Sequence, residues 1–260
     1  MKVSIITVCF NSESFILDAI GSVNSQSYSH IEHIFIDGSS QDRTVDIIRS
    51  NAIRDTRVLS EPDLGIYDAM NKGLTLSSGD IICFLNSDDF YTDQEVIAQV
   101  VKSFIESSTN LLWGDLDYVF PYETSKVFRS IRSGLLERGD LLLGVVPPHP
   151  AFFLKRSMLE ATSLSFDLKY SLAADFDFMK RAILNDNFHG KHISKTLVQM
   201  RHGGATSSGV KNIVRQNLEI IQSLKETFEN FSVIRFIIYK IFKRLAEVIG
   251  TRIRYGRRDR

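Results

Sequence analysis

Ile81-Ile82-Cys83-Phe84-Leu85-Asn86-Ser87-Asp88-Asp89 is an uninterrupted apolar run that ends abruptly in an amide, a hydroxyl and two carboxylates. Five apolar residues in a row, entered from Ser78-Gly79-Asp80, fit a strand buried on both faces. Working towards the N-terminus, residues 3–10 and 31–36 repeat the pattern, and Val58-Leu59 is a briefer third strand. Between them lie stretches with helical spacing at 12–25, 43–52 and 65–77, with Asp42 as the expected N-cap of the second. A further helix is expected over 94–105. Strand and helix alternating at this interval imply a parallel sheet with helices on both faces. In such sheets ligands bind beyond the carboxyl ends of the strands. The polar signals fall there: Asn11 and Glu13 after the first strand, Asp37 after the second, and Asp88 after the fourth.

Beyond residue 110 the pattern changes. Residues 111–120, 126–131, 151–154 and 196–200 read as strands, and 176–184, 210–228 and 231–249 as helices. The expected division is one domain over 1–228 with a basic amphipathic helix over 229–260. Within the domain, 1–110 forms a nucleotide-binding half and 111–228 an acceptor and catalytic half.

Among the 260 residues, Lys and Arg balance Asp and Glu at 31 each, but unevenly. Residues 231–260 hold nine Lys/Arg against two Asp/Glu, which leaves the body net acidic. That distribution argues against a nucleic-acid groove on the body and points to the tail as a membrane-surface element. Packing against the body, or a homodimer contact, remains the alternative for this helix. Cys9 and Cys83 both fall in apolar runs, so reduced buried thiols are expected. No secretory signal and no spanning segment is legible, and a cytoplasmic setting is expected.

Several groupings could carry chemistry. Asp88 and Asp89 beside Asn86 and Ser87 form a cluster whose like charges favour a hard cation, or else simply begin a turn. Asp37 could accept hydrogen bonds from a base or ribose, or organise an Asx-turn. Asp68, Asn71 and Lys72 share a helical face; Lys72 could meet a phosphate, or the face could be solvated. Asp175 before an apolar helix is a general base or an N-cap, and Asp177, two positions on, would point elsewhere. His149 and His202 sit in turn-like contexts. The first strand is followed by no GxGxxG, and Thr206-Ser207-Ser208-Gly209 is no P-loop. The GxSxG, CxxC and HExxH signatures are also missing from the sequence.

Taken in order, residues 3–11, 36–44 and 60–89 resemble the inverting family-two glycosyltransferases, above all bacterial exopolysaccharide transferases of the colanic-acid type. The likeness is clear over 1–120 and looser through His149, Asp175 and the Arg201-His202 turn. It implies a GT-A type fold: an α/β, Rossmann-like mixed sheet flanked by helices, here with a C-terminal helical extension. By the same resemblance Thr7, Asn11 and Glu13 hold the nucleotide and Asp37 meets the base. Asn71 and Lys72 lie near the ribose and diphosphate. Asn86-Ser87-Asp88 stands in place of the DxD motif, with Asp88, Asp89 and His202 as candidate ligands for Mg²⁺ or Mn²⁺. Asp175 matches the catalytic base, in a segment where Ala174 replaces the family's frequent glutamate. The implied donor is a nucleoside-diphosphate sugar, expected to be a UDP-sugar. The implied acceptor is a glycan or lipid-linked hydroxyl in surface polysaccharide synthesis, met at the inner face of the plasma membrane. A catalytically silent nucleotide-sugar-binding subunit is the competing reading.

Overall fold

The computed structural model describes residues 1–203 and 209–255. Thr206-Ser207-Ser208 and the last five residues of the basic tail lie outside the described residues. Four parallel strands open the chain: β1 (Val3–Cys9), β2 (Ile31–Asp37), β3 (Asp55–Ser60) and β4 (Ile81–Phe84). Between them run α1 (Ile16–Asn24), α2 (Thr44–Asn51) and α3 (Ile66–Leu76). Their order in the sheet is β3-β2-β1-β4, so the chain starts in the middle and winds to both sides. The register sets Cys9 opposite Asp37 and Ile6 opposite Phe84. The loops after β1, β2 and β4 therefore open on one edge.

The sheet does not stop at residue 110. After β5 (Phe90–Tyr91) and α4 (Val96–Ile105) come β6 (Leu111–Phe120), β7 (Glu123–Ile131) and β8 (Phe152–Lys155). Strand β8 joins β4 antiparallel, β6 joins β8 antiparallel, and β9 (Gly190–Arg201) lies parallel to β6. The result is one mixed sheet carrying helices, as expected for the fold class. Helices α5 (Arg156–Thr162) and α6 (Ala174–Leu184) belong to this half, followed by α7 (Val210–Thr227) and α8 (Val233–Tyr255).

Packing explains why α3 lies close on the sheet. A Cβ placed on Gly73 would come within 2.4 Å of Ile6 Cγ2, so the helix reaches β1 only because that position has no side chain. Ile6, Ile36, Met70 and Leu74 are buried together there.

Several elements differ from expectation. Strand β3 spans six residues through its pairing with β2, but its outer positions are polar and mostly exposed, so only Val58-Leu59 shows as an apolar signal. Asp42 is not the cap of α2. Arg43 occupies that position, and Asp42 Oδ1 instead accepts the Thr44 amide at 3.0 Å, one residue inside. Helix α6 begins at Ala174, which places Asp175 within its first turn and not at an N-cap. Both cysteines are free and buried.

Candidate active site

The loops after β1 and β2 are stitched together. Asn11, held at φ 48°, accepts the Gln41 amide on Oδ1 at 2.9 Å and donates its own amide to Ser40 Oγ at 2.8 Å. Glu13 reciprocates: its amide donates to Asp42 Oδ2 at 3.0 Å while its Oε2 accepts the Arg43 amide at 3.1 Å. Asp37, fully buried, accepts Ser40 N at 3.0 Å and Ser60 Oγ at 2.6 Å. These contacts hold a rigid rim. On one side of it opens a cavity of about 870 Å³ lined by Asn11, Asn86, Ser87, Asp88, His149 and Asp175 among others.

The acidic segment after β4 forms one wall. Ser87 Oγ and Ser12 Oγ lie 2.9 Å apart, tying it to the β1 loop. Asn86 Nδ2 donates to Asp89 Oδ2 at 2.9 Å, which turns the amide oxygen away from any partner. Asn86 Oδ1 and Asp89 Oδ1 are both buried without a hydrogen bond. Burial pushes the Asp88 carboxyl up; burial and then the Asp88 charge push Asp89 up well above the usual range. Asp88 lines the cavity, whereas Asp89 is wholly enclosed behind it.

Hard oxygen atoms at a site that disfavours bare negative charge suit Mg²⁺ or Mn²⁺, so the residues present fit such a group. Among the described residues no three His, Cys, Asp or Glu side chains converge as a metal-holding set. A single protein carboxylate with phosphate oxygens completing the shell is therefore the arrangement this wall can offer. His202 is exposed, and its ring stacks on Phe128 with centroids 4.7 Å apart.

The facing wall is α6 and the turn before β8. Asp175 lines the cavity and accepts a hydrogen bond from Tyr67 Oη at 3.0 Å. Burial, followed by the Asp175 charge, raises the Tyr67 pKa well above its ordinary value, so the phenol keeps its proton and remains the donor. Glu219 on α7 sets where α6 starts: its Oε2 accepts the amides of Leu172 at 2.7 Å and Ala173 at 3.1 Å. Asp177 points away from the cavity into ion pairs with Lys180 at 3.0 Å and Arg181 at 2.7 Å. His149 is buried against Phe84, and burial lowers its pKa, which keeps the imidazole neutral.

The remaining sequence candidates sit off the cavity. Thr7 is buried within β1, its hydroxyl 2.9 Å from His33 Nε2. Asn71 binds both backbone groups of Phe166: Nδ2 donates to the carbonyl at 2.9 Å and Oδ1 accepts the amide at 2.8 Å. Lys72 pairs with Glu61 at 2.9 Å and Asp68 at 3.6 Å. The structure thus gathers Asn11, Asn86, Ser87, Asp88 and Asp175 around one space. Glu13, Asp37, Thr7, Asn71 and Lys72 form the frame behind it.

Two residues escaped the sequence reading. Tyr67 lies in the polar stretch 61–73, but a lone tyrosine there gives no signal of a partner 108 residues away. Arg201 is buried at the end of β9, where Nη1 donates to the Asp88 carbonyl at 2.7 Å and Nε to the Pro121 carbonyl at 3.0 Å. It also pairs with Asp18 and lies over the Phe15 ring at 4.7 Å. The sequence drew notice to the Arg201-His202 turn through the histidine. The contact to the acidic segment comes from the arginine.

Comparison with known proteins agrees with this layout. The glycosyl transferase family 2 profile matches residues 4–162. A Mycobacterium tuberculosis protein described as an uncharacterized glycosyltransferase is 34% identical over 187 residues, 70% of this chain and 69% of the relative. A PGL/p-HBAD biosynthesis glycosyltransferase of Mycobacterium bovis is 26% identical over 214 residues, 80% of this chain and 79% of its own. Among solved structures, S. aureus TarS 1–349 in complex with UDP-GlcNAc superposes with a TM-score of 0.69 at 19% identity. That match covers 98% of this chain and 73% of the other. Mannosyltransferase PcManGT from Pyrobaculum calidifontis, in complex with GDP-Man and Mn²⁺, gives a TM-score of 0.59 at 13% identity, covering 97% and 82%.

Proposed function

This chain belongs to glycosyl transferase family 2, and from that premise we propose an inverting transfer of a sugar from a UDP-sugar to a hydroxyl of a glycan or lipid-linked acceptor in bacterial surface polysaccharide synthesis. The observation that carries the reading is that Asp88 and Asp175, from opposite halves of the chain, line one cavity. In this reading Asp88 serves to offset the charge of the diphosphate and Asp175 serves as base to the incoming hydroxyl. The UDP part is supported by the TarS complex, the metal part by the mannosyltransferase complex and the orphaned Asn86 Oδ1 beside Asp88.

The chemistry assigned to the chain is short. Asp175 accepts the proton of the acceptor hydroxyl as that oxygen bonds to the anomeric carbon and the bond to the nucleotide phosphate breaks. One displacement inverts the configuration. Tyr67 fixes the Asp175 carboxylate towards the cavity, and Glu219 fixes the helix that bears it. Asp88, with Asn86 and Ser87 beside it, would hold the divalent cation, which when bound neutralises charge on the departing diphosphate.

A thermal-shift panel of nucleoside diphosphates and their sugars, with and without Mg²⁺ or Mn²⁺, tests the donor. A ligand stabilises only what it binds in the folded state. No shift with any nucleotide would sink the proposal. A shift without donor hydrolysis or transfer would favour the silent binding subunit instead.

A further inference from the structure

Helix α8 has two unlike faces. Phe236, 1% exposed, anchors it against Ile220 and Leu224 of α7 and over Gly144. From the same side Tyr239, Lys240 and Lys243 line the cavity. On the opposite side Ile234, Ile237, Ile238, Ile241, Phe242 and Leu245 stand 47–71% exposed. Their spacing of three and four makes one continuous apolar stripe along the helix. Scattered exposed apolar residues need no explanation, but six in a single stripe do.

We propose that this stripe lies on an anionic lipid surface, so that α8 holds the cavity at the membrane and the acceptor is the lipid-linked kind. Charge selects this occupant over a second copy of the chain. Lys240 and Lys243 turn to the cavity, but residues 231–260 as a whole hold nine Lys/Arg against two Asp/Glu. Two such basic segments laid side by side would bring a large excess of like charge together. Anionic headgroups offset that charge while the apolar side chains enter the acyl boundary. No helix among the described residues is long and apolar enough to cross a membrane, so the contact is one of lying on the surface. The acceptor clause rests on the transferase reading above; the surface clause does not.

The test uses the full chain and a variant carrying Ile238→Glu with Phe242→Glu. Both positions are exposed, and circular dichroism with a melting curve verifies that the variant folds. Without any donor present, the wild-type chain should co-sediment with phosphatidylglycerol-containing vesicles and far less with pure phosphatidylcholine. The variant's partitioning should fall on the order of a hundredfold. No pelleting, or equal pelleting of both proteins, overturns the proposal. A wild-type dimer in sedimentation velocity that the variant abolishes overturns it in favour of a second copy. For the acceptor, label from the donor should enter organic-extractable lipid of bacterial membranes, and the variant should lower this by about tenfold through lost local concentration. Its donor hydrolysis should be unchanged. No incorporation into lipid by the wild-type chain, or equal incorporation by both, overturns the acceptor clause. Failure of the donor thermal shift would instead defeat the transferase reading and leave the vesicle result standing.

Discussion

Tyr67 Oη donates a 3.0 Å hydrogen bond to Asp175 Oδ1, joining α3 of the first half of the chain to α6 of the second. The bond orients the carboxylate proposed as base, so its loss separates positioning from proton transfer. Asp175→Asn is expected to cut kcat by about 10²–10⁴-fold, with the donor-induced thermal shift retained. Tyr67→Phe should cost roughly tenfold in kcat with little change in KM for the donor. Full activity of Asp175→Asn would rule out the assignment.

Asp88 faces the cavity while Asp89 is enclosed behind it, so substitutions at the two should have different signatures. Asp88→Ala is expected to abolish the extra stabilisation that Mn²⁺ gives to the donor complex, leaving the ligand-free melting temperature close to wild type. Asp89→Ala should instead lower the ligand-free melting temperature, since it leaves the Asn86 amide without its partner. Isothermal titration with UDP and Mn²⁺ checks the first, a melting curve the second.

Arg201 bridges Asp88, Pro121 and Asp18 with one guanidinium. A lysine ammonium cannot span three acceptors in that fork. Both Arg201→Ala and Arg201→Lys are therefore expected to destabilise the fold by about 2–4 kcal/mol and to weaken donor binding through the displaced acidic segment. Denaturant midpoints that match wild type for Arg201→Lys would contradict this.

Glu32 supplies the acid limb of stability. Burial opposes its ionisation, yet hydrogen bonds from Lys2, Ser4 and Ser78 outweigh it and hold the pKa at about 2 against 4.5 when free. A depressed pKa stabilises the fold above the free value, and the gain is lost as pH falls from about 4.5 towards 2. Glu32→Gln should thus lower stability at neutral pH by on the order of 2 kcal/mol and flatten the decline below pH 4.5. Urea unfolding at pH 7 and pH 3 gives both values; an unchanged acid slope would disprove the claim.

Gly73→Ala tests the approach of α3 to β1. Alanine favours a helix interior over glycine by about 1 kcal/mol. Forcing a methyl group into the Ile6 side chain costs about 1–3 kcal/mol. The second term should win, with net destabilisation and a shift of α3 that also moves Tyr67. A stabilised variant would show that Ile6 yields freely.

The first half of the fold was legible because β1, β2 and β4 are buried throughout and carry apolar runs, while β3 shows only Val58-Leu59. The expectation of a mixed sheet came from family resemblance; the strand pairing that makes it mixed had no signature in local spacing. Strand β9 is twelve residues long but half-exposed, so only its apolar end stood out. Among the site candidates, proximity to a strand end was readable and side-chain direction was not. Asn11 stands just past β1 and Asp37 ends β2, both at the same edge of the sheet, yet one lines the cavity and the other is sealed beneath the loop it organises. Tyr67 and Arg201 matter through partners more than a hundred residues away, which a local pattern does not encode.

Asn71 clasps the amide and the carbonyl of Phe166 like one more rung of a sheet ladder. The tempting cut for building hybrid enzymes is residue 110, with a donor half from one parent and an acceptor half from another. That clasp crosses the cut, as do Tyr67 to Asp175 and Arg201 to Asp88. Exchange of acceptor modules between parents would have to carry all three pairs intact. A crossover that ignores them trades a new specificity for a cavity whose two walls no longer meet in register.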